Sequence, residues 1–272
     1  ADSAIAPYAD NYYEYDADHR VTKSVVQGAG CSCAGSTGAG EYIYAYYASA
    51  FTGADPNIWK SKTVETLPDG NQNVYYFNAG GELLFKAFVV QADSVDPSLV
   101  GKVWGTSYRY DPAGRLIQTA HPSSVAITTT ALLASAESNP DLVGRSPTGA
   151  YQYLNPSSGA IYTAVYASST TAGASTRGDV AGYLKSEWGQ EGYSGTPIQI
   201  NGYQYFIRTA AGSTVHPVAS STVYPNSTGS VLQTTLYDYS WFDGTNRVRR
   251  LTTTHPEIGA AQNGPAGGDV EA

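Results

Sequence analysis

The chain has 272 residues, a formal net charge of −8 and only 14% charged residues. That balance lacks the basic face a nucleic-acid partner requires, and no apolar run approaches the ~20 residues of a membrane-spanning helix. The length suits one large all-β domain or two small ones.

Twenty-three tyrosines suit half-buried sheet faces, and 29 glycines with 14 prolines supply turns. The chain starts at Ala1 and contains no methionine. The expectation is a processed or excised segment of a longer precursor.

In chain order, residues 1–12 read as a lead-in arm. YEYDADHRV (13–21) reads as a hairpin, with His19 at a turn position that needs φ > 0. GAGCSCAGSTGAG (28–40) is a small-residue loop, and the tyrosine-rich YIYAYY (42–47) is a degenerate copy of the motif. Residues 52–73 combine turn signals with one short strand. YYFNAGGEL (75–83) reads as a second hairpin, and ELLFKAFVV (82–90) as a central strand.

YRYDPAGRL (108–116) is the clearest unit. Tyr108 and Tyr110 are two apart and share one strand face. Asp111 to Gly114 fit a type I turn: Asp caps turn N–H groups, Pro presets φ, and Gly closes with φ > 0 into a bulge. Arg115 and Leu116 begin the return strand. Residues 124–138 are ambiguous, since Thr and Val argue for strand while Ala and Leu argue for helix. YQYLNPSSGAI (151–161) reads as a longer hairpin, 168–179 as an exposed loop, YQYF (203–206) as a degenerate copy, and YDYSWFDGTNRV (237–248) as a further hairpin. The tail 259–272 has too little apolar surface to fold alone and serves as linker or docking arm. The organisation expected is a β domain over 1–258 followed by that tail.

A longer repeat links 97–112 to 140–155 at an offset of 43: Pro97, Leu99, Val100, Gly101, Tyr108 and Tyr110 match Pro140, Leu142, Val143, Gly144, Tyr151 and Tyr153. It predicts that Tyr151 and Tyr153 continue an aromatic ladder begun by Tyr108 and Tyr110.

The pattern Y-x-Y-D-x-x-G-R-L resembles the YD-repeat, or RHS-repeat, family. Tyr108, Tyr110, Asp111, Gly114, Arg115 and Leu116 carry it fully; Tyr13, Tyr15, Asp16, Arg20 and Val21 carry it with His19 in place of Gly. The style of the chain, including the AQNGPAGGD ending, is similar to RHS-type proteins of the planctomycete kind. The resemblance implies an extracellular or cell-surface protein. It also implies a long twisted sheet of hairpins, which in relatives winds into a hollow shell or an extended rod.

Residues that carry chemistry are few. Cys31 and Cys33 leave three readings open: a local disulfide, free thiols or an intermolecular bridge, and a metal. His19, His121, His216 and His255 fall at turns or before proline. No HExxH or G-x-S-x-G occurs. Asp111 to Gly114 superficially matches a self-cleaving DPxG segment, but its place inside the tyrosine repeat makes it a turn. Asp16 with Asp18, and Asp93 with Asp96, are turn acids before they are a glycosidase pair or a calcium cage. Asn226 begins a glycosylation sequon. Trp59, Trp104, Trp188 and Trp241 serve packing, or else stack on glycans.

The sequence therefore predicts an all-β fold of stacked antiparallel hairpins forming a twisted, extended or partly wound sheet. No catalytic, cofactor or metal residues are expected. The function expected is that of a structural subunit of an extracellular filament or surface fibre, with other copies of itself as partner. The alternatives are a segment of an RHS-type shell enclosing or presenting a toxin, and a carbohydrate-binding adhesin module.

Overall fold

The computed structural model describes residues 11–27, 39–225 and 232–256. Residues 1–10 of the arm, Cys31 and Cys33, the sequon at Asn226 and the tail 259–272 lie outside the described residues. The chain forms two compact units, one of Ala1–Ile161 with Glu191–Gly195, the other of Tyr162–Gln190 with Thr196–Ala272. Both are built from antiparallel hairpins, so the fold is all-β.

The first unit holds β1 (Asn11–Tyr15), β2 (Val21–Gln27), β3 (Ala39–Ala48), β4 (Ser61–Thr66), β5 (Gln72–Phe77), β6 (Leu83–Val89), β7 (Val103–Tyr110) and β8 (Leu116–Ala120). Each pairs antiparallel with the next. A further strand, β9 (Ala160–Tyr166), starts at its end.

Period-two alternation sets its faces. Val74 and Tyr76 lie opposite Ala87 and Phe85, which lie opposite Gly105 and Ser107. This row is buried: Tyr76 and Phe85 have no exposed surface. Gly105 is required in it, because a Cβ there would stand 2.2 Å from Phe85 Cζ.

Residues 121–159 leave the sheet and cover this face. The ambiguous stretch divides in two. Its Ala-Leu half forms helix α1 (Thr130–Ala136), capped by Thr129 Oγ1 accepting from Leu132 N, while Val125 makes a single bridge to Leu154. Val125, Ile127, Leu133, Ala136, Leu142, Val143 and Leu154 join the sheet residues in one core cluster.

The repeat at 140–155 therefore does not build a second YD hairpin. Tyr151 makes one isolated bridge, to Arg145, and Tyr153 lies in no strand and is buried within the covering segment. The turn falls before the tyrosines, over Ser146 to Ala150, rather than after them. Ser-Pro-Thr-Gly supplies the same turn chemistry as Asp-Pro-Ala-Gly, so it closes the chain first. The expected aromatic ladder from Tyr108 and Tyr110 to Tyr151 and Tyr153 is absent, as is the hairpin expected at 151–161.

The second unit pairs β10 (Leu184–Glu191) with β11 (Ile198–Tyr205), β11 with β14 (Val218–Val223), β14 with β15 (Gln233–Trp241), and β15 with β16 (Val248–Thr254). Between β11 and β14, a small ribbon of β12 (Arg208–Ala210) and β13 (Ser213–Val215) turns tightly through Ala211 and Gly212, both at positive φ. Asn246 Nδ2 donates to Ala210 O and Ser213 O and ties this ribbon to the β15–β16 turn.

Candidate functional site

The chemistry-bearing motif singled out in the sequence is a turn, and the structure repeats it. At 16–20, 67–71, 78–82, 111–115 and 146–150, the first residue's N–H donates to the fifth's carbonyl, and the fourth's N–H donates to the first's carbonyl. The fourth residue is left-handed in all five: His19 at φ +61°, Gly70 at +86°, Gly81 at +81°, Gly114 at +75° and Gly149 at +88°. Glycine takes that conformation without a Cβ clash, and histidine is among the few side chains that tolerate it.

The side chains of this motif close a second ring of bonds. Asp111 Oδ1 accepts from Ala113 N and Arg115 N, while Arg115 Nε donates to Asp111 Oδ2 at 2.7 Å. Asp16 repeats this: Oδ1 accepts from Asp18 N and Arg20 N, and Oδ2 from Arg20 Nε at 2.8 Å. In the hairpin of β5 and β6, Asn78 Oδ1 accepts from Gly80 N and Glu82 N, and Asn78 Nδ2 donates to Glu82. Charge is reversed at the fifth position, yet the network survives because the amide can donate. Backbone N–H donors and the Arg20 side chain hold Asp16 below the usual carboxylate range against the effect of burial; burial pushes Asp111 up more strongly, but the Arg115 side chain and backbone N–H donors together still hold it low.

A tyrosine latch accompanies the turns. Tyr46 on β3 donates to Val21 O, Tyr110 on β7 to Leu83 O, Tyr205 on β11 to Leu184 O, and Tyr239 on β15 to Val218 O, at 2.7 to 3.0 Å. Each acceptor is the first residue of the neighbouring strand that precedes the tyrosine's own. Burial pushes all four phenols above their ordinary pKa. On β5 the residue before the turn is Phe77, which has no hydroxyl. Asn57, from the loop before β4, fills the bulge at Tyr110 by pairing with its backbone N–H and C=O at 2.8 and 2.9 Å.

No family model matches the chain, and no curated protein does. Among solved structures, the crystal structures of TcdB2-TccC3-Cdc42 and of TcdB2-TccC3 align with 90% of this chain at 14% identity, with TM-scores of 0.27 and 0.28. This chain spans 12% and 13% of the length of those chains.

A second polar device occurs once in each unit among the described residues. Glu65 on β4 faces Asn73 on β5, and Glu187 on β10 faces Asn201 on β11. Glu65 accepts from Asn73 at 2.8 Å and from Tyr44 at 3.2 Å; Glu187 accepts from Asn201 and Tyr203 at 2.9 and 2.8 Å. Burial and the adjoining carboxylate push Tyr44 and Tyr203 up to about 12.

On the face opposite the core, the row Glu65, Asn73, Phe88 and Trp104 runs straight across four strands. Phe88 and Trp104 lie 6.4 Å apart, centroid to centroid, and both are exposed. Trp59 is a core residue whose indole N–H donates to Asn139 O. Trp188 donates to Ser186 Oγ, and Trp241 stacks on Tyr239 beneath Arg208.

Glu137, at the end of α1, pins the covering segment. It accepts from the fully buried Tyr76 hydroxyl and pairs with Lys62 Nζ at 2.7 Å. Asp141 pairs with the buried Arg109. Arg109 and Arg145 place their guanidinium carbons 5.7 and 5.6 Å from the Tyr151 ring centre. Tyr151 thus holds two cations beside an open pocket of about 670 Å³ lined by Asp55, Asn57, Asp141 and Gly149 among others.

Asp93 accepts from Val95 N and Asp96 N, and Asp96 from Ser98 N; each acts as a turn acid. His216 Nδ1 lies 3.0 Å from the Tyr183 hydroxyl. Among the described residues, no three His, Cys, Asp or Glu side chains stand together as metal ligands.

Proposed function

We propose that this chain is a structural β-repeat protein of the YD-repeat kind, the subunit of an extracellular filament or surface fibre that grows head to tail through open strand edges. The carrying observation is that β1 and β16 each have a strand neighbour on one side only among the described residues. A strand with one neighbour can template the next through its backbone donors and acceptors. The latches and turn networks support the reading. Each ties a strand to its neighbour through local chemistry that another copy can continue, as in proteins whose repeats contact only their neighbours. No cofactor, metal or catalytic group has a part in this role.

A second reading is a wall segment of a longer RHS-type shell that encloses or presents a toxin. What favours it is the unlike treatment of the two faces of the first unit's sheet, one covered by residues 121–159 and the other left with Phe88 and Trp104 exposed. Sedimentation velocity of the full chain over a concentration series separates the two. A filament subunit shows growing, heterogeneous, fast species above a threshold concentration. A single species of fixed size at every concentration contradicts the filament reading.

A further inference from the structure

The latch repeats with its register, and among the described residues the first and last strands each hold half of one. Val21, Leu83 and Val218, three of the four acceptors, sit at the position opposite the bulge residue of the strand before: Tyr15, Phe77 and Tyr205 respectively. Val248 on β16 occupies that same position, opposite Trp241 across the bulge that follows Ser240. It begins the strand after its turn, as Val21 and Leu83 do. Among the described residues, no later strand brings a tyrosine to its carbonyl.

At the other end, Tyr15 aligns without gaps to the latching Tyr110: both precede the turn aspartate, both follow a bulge, and both stand five residues before the turn arginine. Tyr110 is half-buried against the first residue of β6, whereas Tyr15 is 60% exposed and no strand lies on the outer side of β1 among the described residues. The charges of the two edges also complement each other. β16 and its turn carry Arg247, Arg249 and Arg250 against Asp243, while β1 and its turn carry Glu14, Asp16 and Asp18 against Arg20.

We infer that β1 of one copy docks against β16 of a second copy, in the register that lets the Tyr15 hydroxyl donate to the Val248 carbonyl. This rests on the head-to-tail reading above and adds to it the strand pair, the register and one donor–acceptor contact. The interface reproduces the contact made within the chain by Tyr110 and Leu83. Main-chain bonds along the edge supply the affinity, and the phenol selects the register, since a shift by one residue moves Tyr15 to the other face.

The test compares the full-length protein with Tyr15→Phe and Tyr13→Phe, measuring the concentration left in the supernatant after polymer is pelleted. Loss of one neutral hydrogen bond at each interface raises that critical concentration by about three- to tenfold for Tyr15→Phe. Tyr13→Phe leaves it within about twofold, as expected for a residue that makes no latch. Melting curves of both variants below the threshold match the parent protein, since both side chains are exposed. Polymer that forms equally well with Tyr15→Phe, or that is weakened by Tyr13→Phe instead, overturns the register and leaves head-to-tail assembly standing. A parent protein that does not polymerise overturns the assembly reading and this contact with it.

Discussion

Tyr110 donates its hydroxyl to the carbonyl of Leu83 at 3.0 Å, tying the end of β7 to the start of β6. Hydrophobic burial alone would accept phenylalanine there, and Phe77 holds the matching place on β5. Tyrosine adds a partner for a backbone oxygen at the strand's first residue, where the hairpin is most apt to fray. Tyr110→Phe is expected to lower unfolding free energy by about 1 kcal/mol, the net worth of one neutral hydrogen bond. Tyr110→Ala costs several times more, because ring packing is lost as well. Chemical denaturation of both variants checks the ratio; a Tyr110→Phe protein as stable as the parent would mean that the hydroxyl contributes nothing.

Gly114 and His19 occupy the same turn position at positive φ and should respond in opposite ways. Gly114→Val destabilises by about 1 kcal/mol or more through backbone strain. In addition, the new Cβ stands 2.9 Å from Glu82 Oε1 of the neighbouring turn. His19→Gly is neutral or stabilising, because it removes the strain of a side chain at φ +61°. Thermal melts of the two variants would contradict the turn assignment if both moved the same way.

Gly105 faces the fully buried Phe85 ring. Gly105→Ala forces that ring from its place and costs about 1–3 kcal/mol, the usual penalty of overpacking. A melt unchanged by this substitution would show that the β6–β7 core is looser than described.

The turn carboxylates give an acid limit to stability. Asp16 and Asp111 titrate below their ordinary 3.8 in the folded protein, so they favour the folded state fully above that value. The contribution is lost as pH falls through the lower, folded pKa. The melting temperature therefore falls in acid below the ordinary carboxylate range, and Asp111→Asn makes that fall shallower. At the alkaline end, Tyr44 and Tyr203 stay protonated past the ordinary 10 and ionise near 12. They favour the folded state below pH 10, and that contribution is lost as pH rises through 12. Ultraviolet phenolate titration should show a late-ionising group of tyrosines that includes these two, and replacing Glu65 or Glu187 with Gln should bring one member of it forward.

The hairpin at 108–116 is legible because each residue has a local reason to be there: Asp bonds the turn, Pro presets φ, and Gly admits the left-handed backbone. The same local logic sits in Ser146 to Gly149, where the turn precedes the tyrosine pair instead of following it. The covering segment was not legible. Leu133, Leu142 and Val143 follow no sheet period, and their burial depends on β5, β6 and β7, far away in sequence. The latches were hidden for a different reason. Their acceptors are backbone carbonyls, so no partner residue type marks them. Asn57 bonding the Tyr110 backbone, and Glu137 bonding Tyr76, are likewise contacts that tertiary structure alone brings together.

The most direct test of the central claim is negative-stain electron microscopy of the purified full-length protein, taken from below to well above the concentration at which sedimentation first detects large species. The account predicts unbranched fibres of uniform width, lengthening with concentration, with a regular repeat along the axis set by one subunit. Closed capsules, or dispersed single particles at every concentration, would contradict it.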